Sequence, residues 1–293
     1  MKQMRGLMVA VAVATCGALV QAQDVPPLPA LTVHAAPTGA QQSANAEPLT
    51  SACSFTFTVA GAQNSFLRYC VTANGNITSF ISPAGNDQIA QGTIGEGYGI
   101  CDTSTGTSYF DYADFGDSGN WGSTSVLTAS PSMIKLARTT LDGAWTLTQT
   151  ITKVSGPSPS AKVQMALKNN SGIAKEAFLV RYADVDPSNS NATGDFTESF
   201  DSSVFSAWGY ANLVSGKPSI GLKITQLGTI SPASIPFSFE GIDQNTPFGP
   251  DPCNPVGNFG GLQPSVDGSI EMLWVEILNP HQQGTVTAKY EMF

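Results

Sequence analysis

The chain has 293 residues, 41% of them hydrophobic and only 12% charged, which leaves ample apolar surface for a core and excludes disorder for its body. Thirteen Lys and Arg stand against 22 Asp and Glu, a net charge of −9. That balance argues against nucleic acid as a partner and against docking on an anionic membrane surface.

Met1-Lys2-Gln3-Met4-Arg5 is positively charged, Gly6 to Val20 is apolar, and Val20-Gln21-Ala22 supplies small residues for signal peptidase. Residues 1–22 therefore read as a cleavable signal peptide, and the protein is expected to be secreted or periplasmic. The apolar run is shorter than the roughly 20 residues a spanning helix needs, and no later run is long enough, so no transmembrane helix is expected. Val13-Ala14-Thr15-Cys16 loosely resembles a lipoprotein cleavage box, which makes Cys16 an alternative lipid anchor, although Thr15 fits that pattern poorly. Residues 23–50 are rich in Pro, Ala, Gln and Ser, lack an apolar period and read as a flexible linker. Residues 51–293 are expected to form a single large β-sandwich domain.

Short alternating runs begin at once in that body. They cover Cys53–Val59, Ser65–Thr72 and Asn76–Ser82, the last two joined by an Asn74-Gly75 hairpin turn. Met133–Thr140 and Ala144–Val154 follow, linked by Asp142-Gly143, and then Ala161–Lys168 and Ala177–Ala183. Val204–Tyr210, Ser219–Leu227, Ile235–Glu240, Ser269–Leu278 and Gly284–Met292 complete the set. No run carries an apolar stripe of helical period over three turns, so little helix is expected. The fold class is thus all-β, a large antiparallel β-sandwich. In strand count and size it is similar to a mutarotase-like supersandwich, an analogy of fold that implies no function. Phe293 raises an outer-membrane barrel, but its face holds Glu291, Lys289, Thr287 and Thr285, which is no lipid-facing row.

Four cysteines remain after export, an even number that suggests two disulfides. Cys101 and Cys253 both sit beside turns and are expected to pair. Cys53 and Cys70 lie on consecutive strands, but strict alternation puts them on opposite faces and argues against a bond between them. There is no Cys-x-x-Cys spacing, so zinc is not expected.

The body has a single histidine, His281, in the turn Asn279-Pro280-His281-Gln282. Histidine-based triads or metal sites have little to build on. Gly116-Asp117-Ser118-Gly119 resembles the nucleophile segment of chymotrypsin-like proteases over four residues, but Asn120 breaks the pattern and the family's histidine motif is missing. Asp184, Asp186, Ser188 and Asp195 fall at the first, third, fifth and twelfth places of a loop that would suit calcium. Pro187 and Asn189 depart from the helical version of that loop, and no other cofactor is expected. Carboxylates placed for glycoside chemistry would be Glu96, between glycines, with Asp102, Glu240 or Glu276. Trp121, Trp208 and Tyr210, flanked by glycine, are candidates for stacking on a sugar ring.

From these signals the chain reads first as an exported, non-enzymatic protein that binds a glycan or protein partner or serves the envelope structurally. The alternative is a carbohydrate-active enzyme using paired carboxylates.

Overall fold

The structure, a computed structural model, describes residues 53–60, 66–82, 86–89, 95–113, 116–185, 196–201, 206–211, 221–228, 235–240, 251–254, 263–264 and 269–292. The expected signal peptide, Cys16 and the linker lie outside these residues. Among the described residues there is no helix; strands and turns make up the whole.

Strands β1 (Phe55–Ala60), β2 (Phe66–Val71) and β3 (Ile77–Ile81) form a small sheet of their own. β4 (Glu96–Asp102), β5 (Thr107–Tyr112) and β6 (Gly116–Asp117) begin a second sheet. β7 (Ser125–Ser130), β8 (Met133–Thr139), β9 (Trp145–Val154) and β10 (Ser160–Asn169) begin a third. The chain then alternates between these two. β11 (Lys175–Asp184) returns to the second sheet, and β12 (Phe196–Asp201), β13 (Ser206–Ala211) and β14 (Gly221–Gln226) extend the third. β15 (Ile235–Glu240) and β17 (Ser269–Leu278) join the second, β16 (Gln263–Pro264) and β18 (Gln283–Met292) the third. The second sheet runs β15-β17-β11-β4-β5-β6 and the third runs β16-β12-β13-β14-β18-β10-β9-β8-β7. All pairings are antiparallel, as an all-β sandwich of meandering strands requires.

The core lies between the six-stranded and nine-stranded sheets. Alternation fixes which side chains enter it: Trp145, Leu147 and Ile151 from β9, Val163, Met165 and Leu167 from β10, and Val286, Ala288 and Tyr290 from β18. They meet Leu179, Ala183, Met272, Trp274 and Ile100 from the facing sheet. Each Val, Leu, Ile or Met among them contributes roughly 1.5–3 kcal/mol when removed from water. Phe57, Tyr69 and Phe80 stand directly opposite one another across the small sheet, with ring centroids 5.1 and 6.1 Å apart. Phe80 then reaches Tyr290 of β18 at 6.2 Å, which docks the small sheet onto the main core.

Both disulfides form. Cys101–Cys253 is as expected, with Cα atoms 4.8 Å apart. Cys53–Cys70 also forms, at 5.5 Å, and corrects the expectation that these two point apart. The reason is local: β1 begins only at Phe55, so Cys53 is outside the alternating strand. Its Sγ lies 3.2 Å from Thr56 Oγ1, and Thr56 is paired with Cys70, so Cys53 has crossed to that face.

Candidate functional site

The carboxylates expected to do glycoside chemistry lie in the interior. On β4, Glu96, Tyr98, Ile100 and Asp102 all point between the two large sheets. Glu96 is wholly buried and ion-paired with Arg181. Tyr290 OH donates to its Oε1 at 2.7 Å, and the Ile77 backbone N–H donates to its Oε2 at 2.6 Å. Burial pushes the Glu96 carboxyl up against the opposing pull of Arg181. Asp102 and Glu276 flank Ala177 on the same inner face, one strand to either side, and both are buried. Asp102 pairs with Lys175 and accepts from Trp145 Nε1 at 3.1 Å. Glu240 lies on β15 opposite Ile270.

A second interior cluster forms beside the first. Arg138 pairs with Asp111 and, at 2.9 Å, with Asp117, and also donates to Tyr98 OH at 3.3 Å. Asn74 and Asn76 donate to the two Asp111 oxygens at 2.8 and 2.7 Å. Arg181 extends to Gln149 Oε1 at 2.6 Å and to the Gly75 carbonyl at 3.2 Å. These groups tie all three sheets together, since charges this deeply buried must find partners. The Asn74-Gly75 turn therefore does more than reverse the chain: its polar atoms cap both arginines' networks.

The four-residue stretch from Gly116 is part of the same architecture. Asp117 holds Arg138, while Ser118 Oγ accepts from the Phe110 N–H at 3.1 Å and bonds to Asn120. His281 is exposed in a turn, with φ of 61°. Of the calcium candidates, Asp184 ends β11, buried, with Ser269 Oγ 3.5 Å from its Oδ1. Asp186, Ser188 and Asp195 lie outside the described residues. Among the described residues no group of three metal-ligating side chains comes together.

The expected stacking platform divides. Trp121 is 6% exposed, set edge-on to Tyr98 and Tyr109, with Arg138 over its ring and Nε1 donating to the Phe110 carbonyl at 3.1 Å. It is core. Trp208 and Tyr210, two residues apart on β13, share the outer face of the nine-stranded sheet and are half-buried. Lys223 stands directly opposite Trp208 and places its Nζ 5.7 Å from the indole centre. Next along the same row, Glu291 is opposite Lys223, and its Oε2 is 2.7 Å from Lys289 Nζ. Lys289 and Glu291 keep 29% and 17% of their side-chain surface exposed. Aromatic rings, ammonium groups and a carboxylate thus meet on one solvent-facing side of the sheet. Reading the sequence missed Lys223, Lys289 and Glu291. The available signal was the polar alternation of β18, which had served only to exclude a lipid-facing row.

No protein-family model matches the sequence, and no curated protein matches it. Several solved structures resemble the fold. A galactose mutarotase-like protein from Lactobacillus casei is 10% identical, matched over 82% of this chain and 100% of its own, with a TM-score of 0.47. A putative aldose 1-epimerase from Escherichia coli is 9% identical, covering 82% and 99%, with a TM-score of 0.39. A bacterial glucoamylase complexed with acarbose is 12% identical over 82% of this chain but 32% of its own, TM-score 0.47. At these identities and TM-scores the likeness assigns no family, and the antiparallel all-β architecture rests on the strand pairing itself. The expectation of a non-enzymatic binding or envelope protein is corrected here, because the structures resembling this chain are named as sugar-acting proteins and stand with the carbohydrate-active alternative.

Proposed function

We propose that this chain modifies carbohydrate, and that its working surface is the outer face of the nine-stranded sheet around Trp208 and Glu291. One observation carries the reading. The row Trp208, Lys223, Glu291, with Lys289 paired to Glu291, sets an aromatic ring beside a carboxylate–ammonium couple on a solvent-facing sheet. An indole can lie against the apolar face of a sugar ring, and the adjacent charges can exchange protons with its hydroxyls.

The described side chains of this row offer one carboxylate, Glu291, held beside one ammonium, Lys289. A carboxylate with an ammonium suits a proton shift. Glu291 takes the proton of an anomeric hydroxyl while Lys289 gives one to the ring oxygen. The ring opens to an aldehyde and recloses on either face, which interconverts anomers. Aldose 1-epimerase, the name borne by one of the similar structures, denotes chemistry of this kind.

The test is polarimetry of freshly dissolved aldoses with the purified protein, run beside a reducing-end release assay. Anomer equilibration is expected to be accelerated and to fall on the order of 10²-fold or more in Glu291→Gln, the usual scale for losing an acid–base group. Trp208→Ala should raise KM with little change in kcat. No acceleration over buffer, or acceleration that Glu291→Gln leaves intact, would overturn the reading.

We further propose that the protein works after export. Two disulfides support that placement, because such bonds persist in oxidising compartments.

A further inference from the structure

From β8 across to β14 the described side chains of the outer face of the nine-stranded sheet are basic, although the chain as a whole is strongly acidic. Lys135 from β8, Lys162 and Lys168 from β10, Lys223 from β14 and Lys289 from β18 all project to it. These are five of the 13 basic residues of a chain with net charge −9. Against five ammonium groups, the described side chains of this face offer one carboxylate, Glu291, and that is already paired with Lys289.

The arrangement is costly without an anionic ligand. Lys289 and Lys162 stand directly opposite each other on adjacent strands. Like charges so placed repel and destabilise the sheet. Among the described residues neither Lys162 nor Lys223 forms an ion pair, and Lys223 lies over the Trp208 ring with Glu291 opposite it on the next strand. From β14 to β8 the lysines cross four strand spacings, so the band is about 19 Å wide. Between them lie Thr152, Thr150, Thr287 and Gln164, short polar groups that leave the surface low and hydrogen-bonding.

We propose that this face binds an acidic glycan, a chain bearing carboxylate or sulfate groups, across the lysine band and against Trp208. The inference rests on the sugar-modifying reading of the same face and narrows its substrate. Two features favour a glycan over other anions. The band is made of lysines alone, point charges that suit monovalent groups spread along a polymer rather than the bidentate capture of a phosphate by arginine. It also runs into the aromatic end of the row, where a sugar ring has something to lie on.

Binding is measured calorimetrically with polygalacturonate, dextran sulfate, uncharged dextran and a single-stranded oligothymidylate, at low and at high salt. At least one of the two acidic polysaccharides is expected to bind well above dextran and to weaken with salt, as screening of exposed charge requires. Which of the two binds tells carboxylate from sulfate. Lys162→Gln and Lys135→Gln should each lower that affinity by roughly three- to tenfold, the scale of one solvent-facing charge contact. Both side chains point to solvent, so melting temperatures no lower than the parent's verify the fold, with Lys162→Gln somewhat higher because it relieves the repulsion from Lys289. Dextran bound as tightly as the acidic polymers would overturn the acidic-glycan inference while leaving the sugar reading standing. Oligothymidylate bound as tightly would overturn it in favour of a general polyanion site. Loss of binding in Trp208→Ala but none in either lysine variant would also overturn it. Binding of none of the polysaccharides, together with no effect on aldoses, would remove the sugar reading as well.

Discussion

Glu271 lies on β17, on the side of the six-stranded sheet that faces away from the main core, and it is wholly buried. Neither of its carboxyl oxygens has a hydrogen-bond partner among the described residues. Burial, helped by the nearby negative charge of Asp251, pushes its pKa from 4.5 up to about 8. The folded protein therefore prefers the protonated acid. The stability that goes with this is complete below pH about 4.5 and is lost as pH rises through about 8. Across that window the loss from this one group is roughly 3–5 kcal/mol. Burial also raises Glu96 and Asp111, with the same sign, so a variant is needed to isolate Glu271. Melting curves between about pH 5 and pH 8 should show a fall in Tm with rising pH that Glu271→Gln largely removes. A pH profile unchanged by Glu271→Gln would refute this assignment.

At the scale of the element, β4 shows why some of the fold was hard to read. Strands such as β9 and β18 alternate apolar with polar, because one face is core and the other solvent, and both were legible in the sequence. β4 reads Glu-Gly-Tyr-Gly-Ile-Cys-Asp and is buried along its whole length, so its periodicity is one of size rather than polarity. Large residues enter the ion-paired interior, and glycines face outward where other chain segments press close. A Cβ at Gly97 would lie 2.0 Å from the Asp111 carbonyl oxygen, and one at Gly99 would lie 2.2 Å from Pro252 Cγ. At Gly97 the obstacle is backbone of the paired strand and cannot swing aside. Gly97→Ala should thus separate β4 from β5, displace Asp111 from Arg138 and lower stability by more than about 3 kcal/mol, or yield insoluble protein. Gly106→Ala is a useful contrast. No atom lies within 4 Å of its added Cβ, so only the backbone strain of φ near 67° opposes it, and a loss of about 1 kcal/mol is expected. Equal losses in urea titrations of the two variants would contradict the close-packing account. The candidate site was harder to see for a related reason. Trp208 and Tyr210 could be singled out within β13, but Lys223, Lys289 and Glu291 come to them only through the β13-β14-β18 order, a pairing that no local pattern encodes.

At the scale of the whole molecule, the two disulfides differ in what they hold. Cys53–Cys70 closes 17 residues within the small sheet, which the Phe57, Tyr69 and Phe80 stack already organises. Cys101–Cys253 closes 152 residues and fastens the Asp251–Asn254 segment to the outside of β4. There Asp251 accepts from Ser108 Oγ at 2.6 Å, and Pro252 fills the space over Gly99. Chain-entropy arguments give about 3 kcal/mol for a loop of the first size and about 5 kcal/mol for the second. The second bond has a further effect, because the segment it holds carries Asp251, whose charge acts on Glu271. Replacing Cys101 and Cys253 together by serine should therefore lower Tm more than replacing Cys53 and Cys70. It should also lessen the fall in stability with pH, because a loosened Asp251 no longer opposes ionisation of Glu271 and water gains access to it. Melting curves of the two double variants at about pH 5 and pH 8 test both parts. A larger loss from Cys53 and Cys70, or a pH dependence untouched by Cys101 and Cys253, would show that the 251–254 segment is held by its packing on β4 and needs no staple.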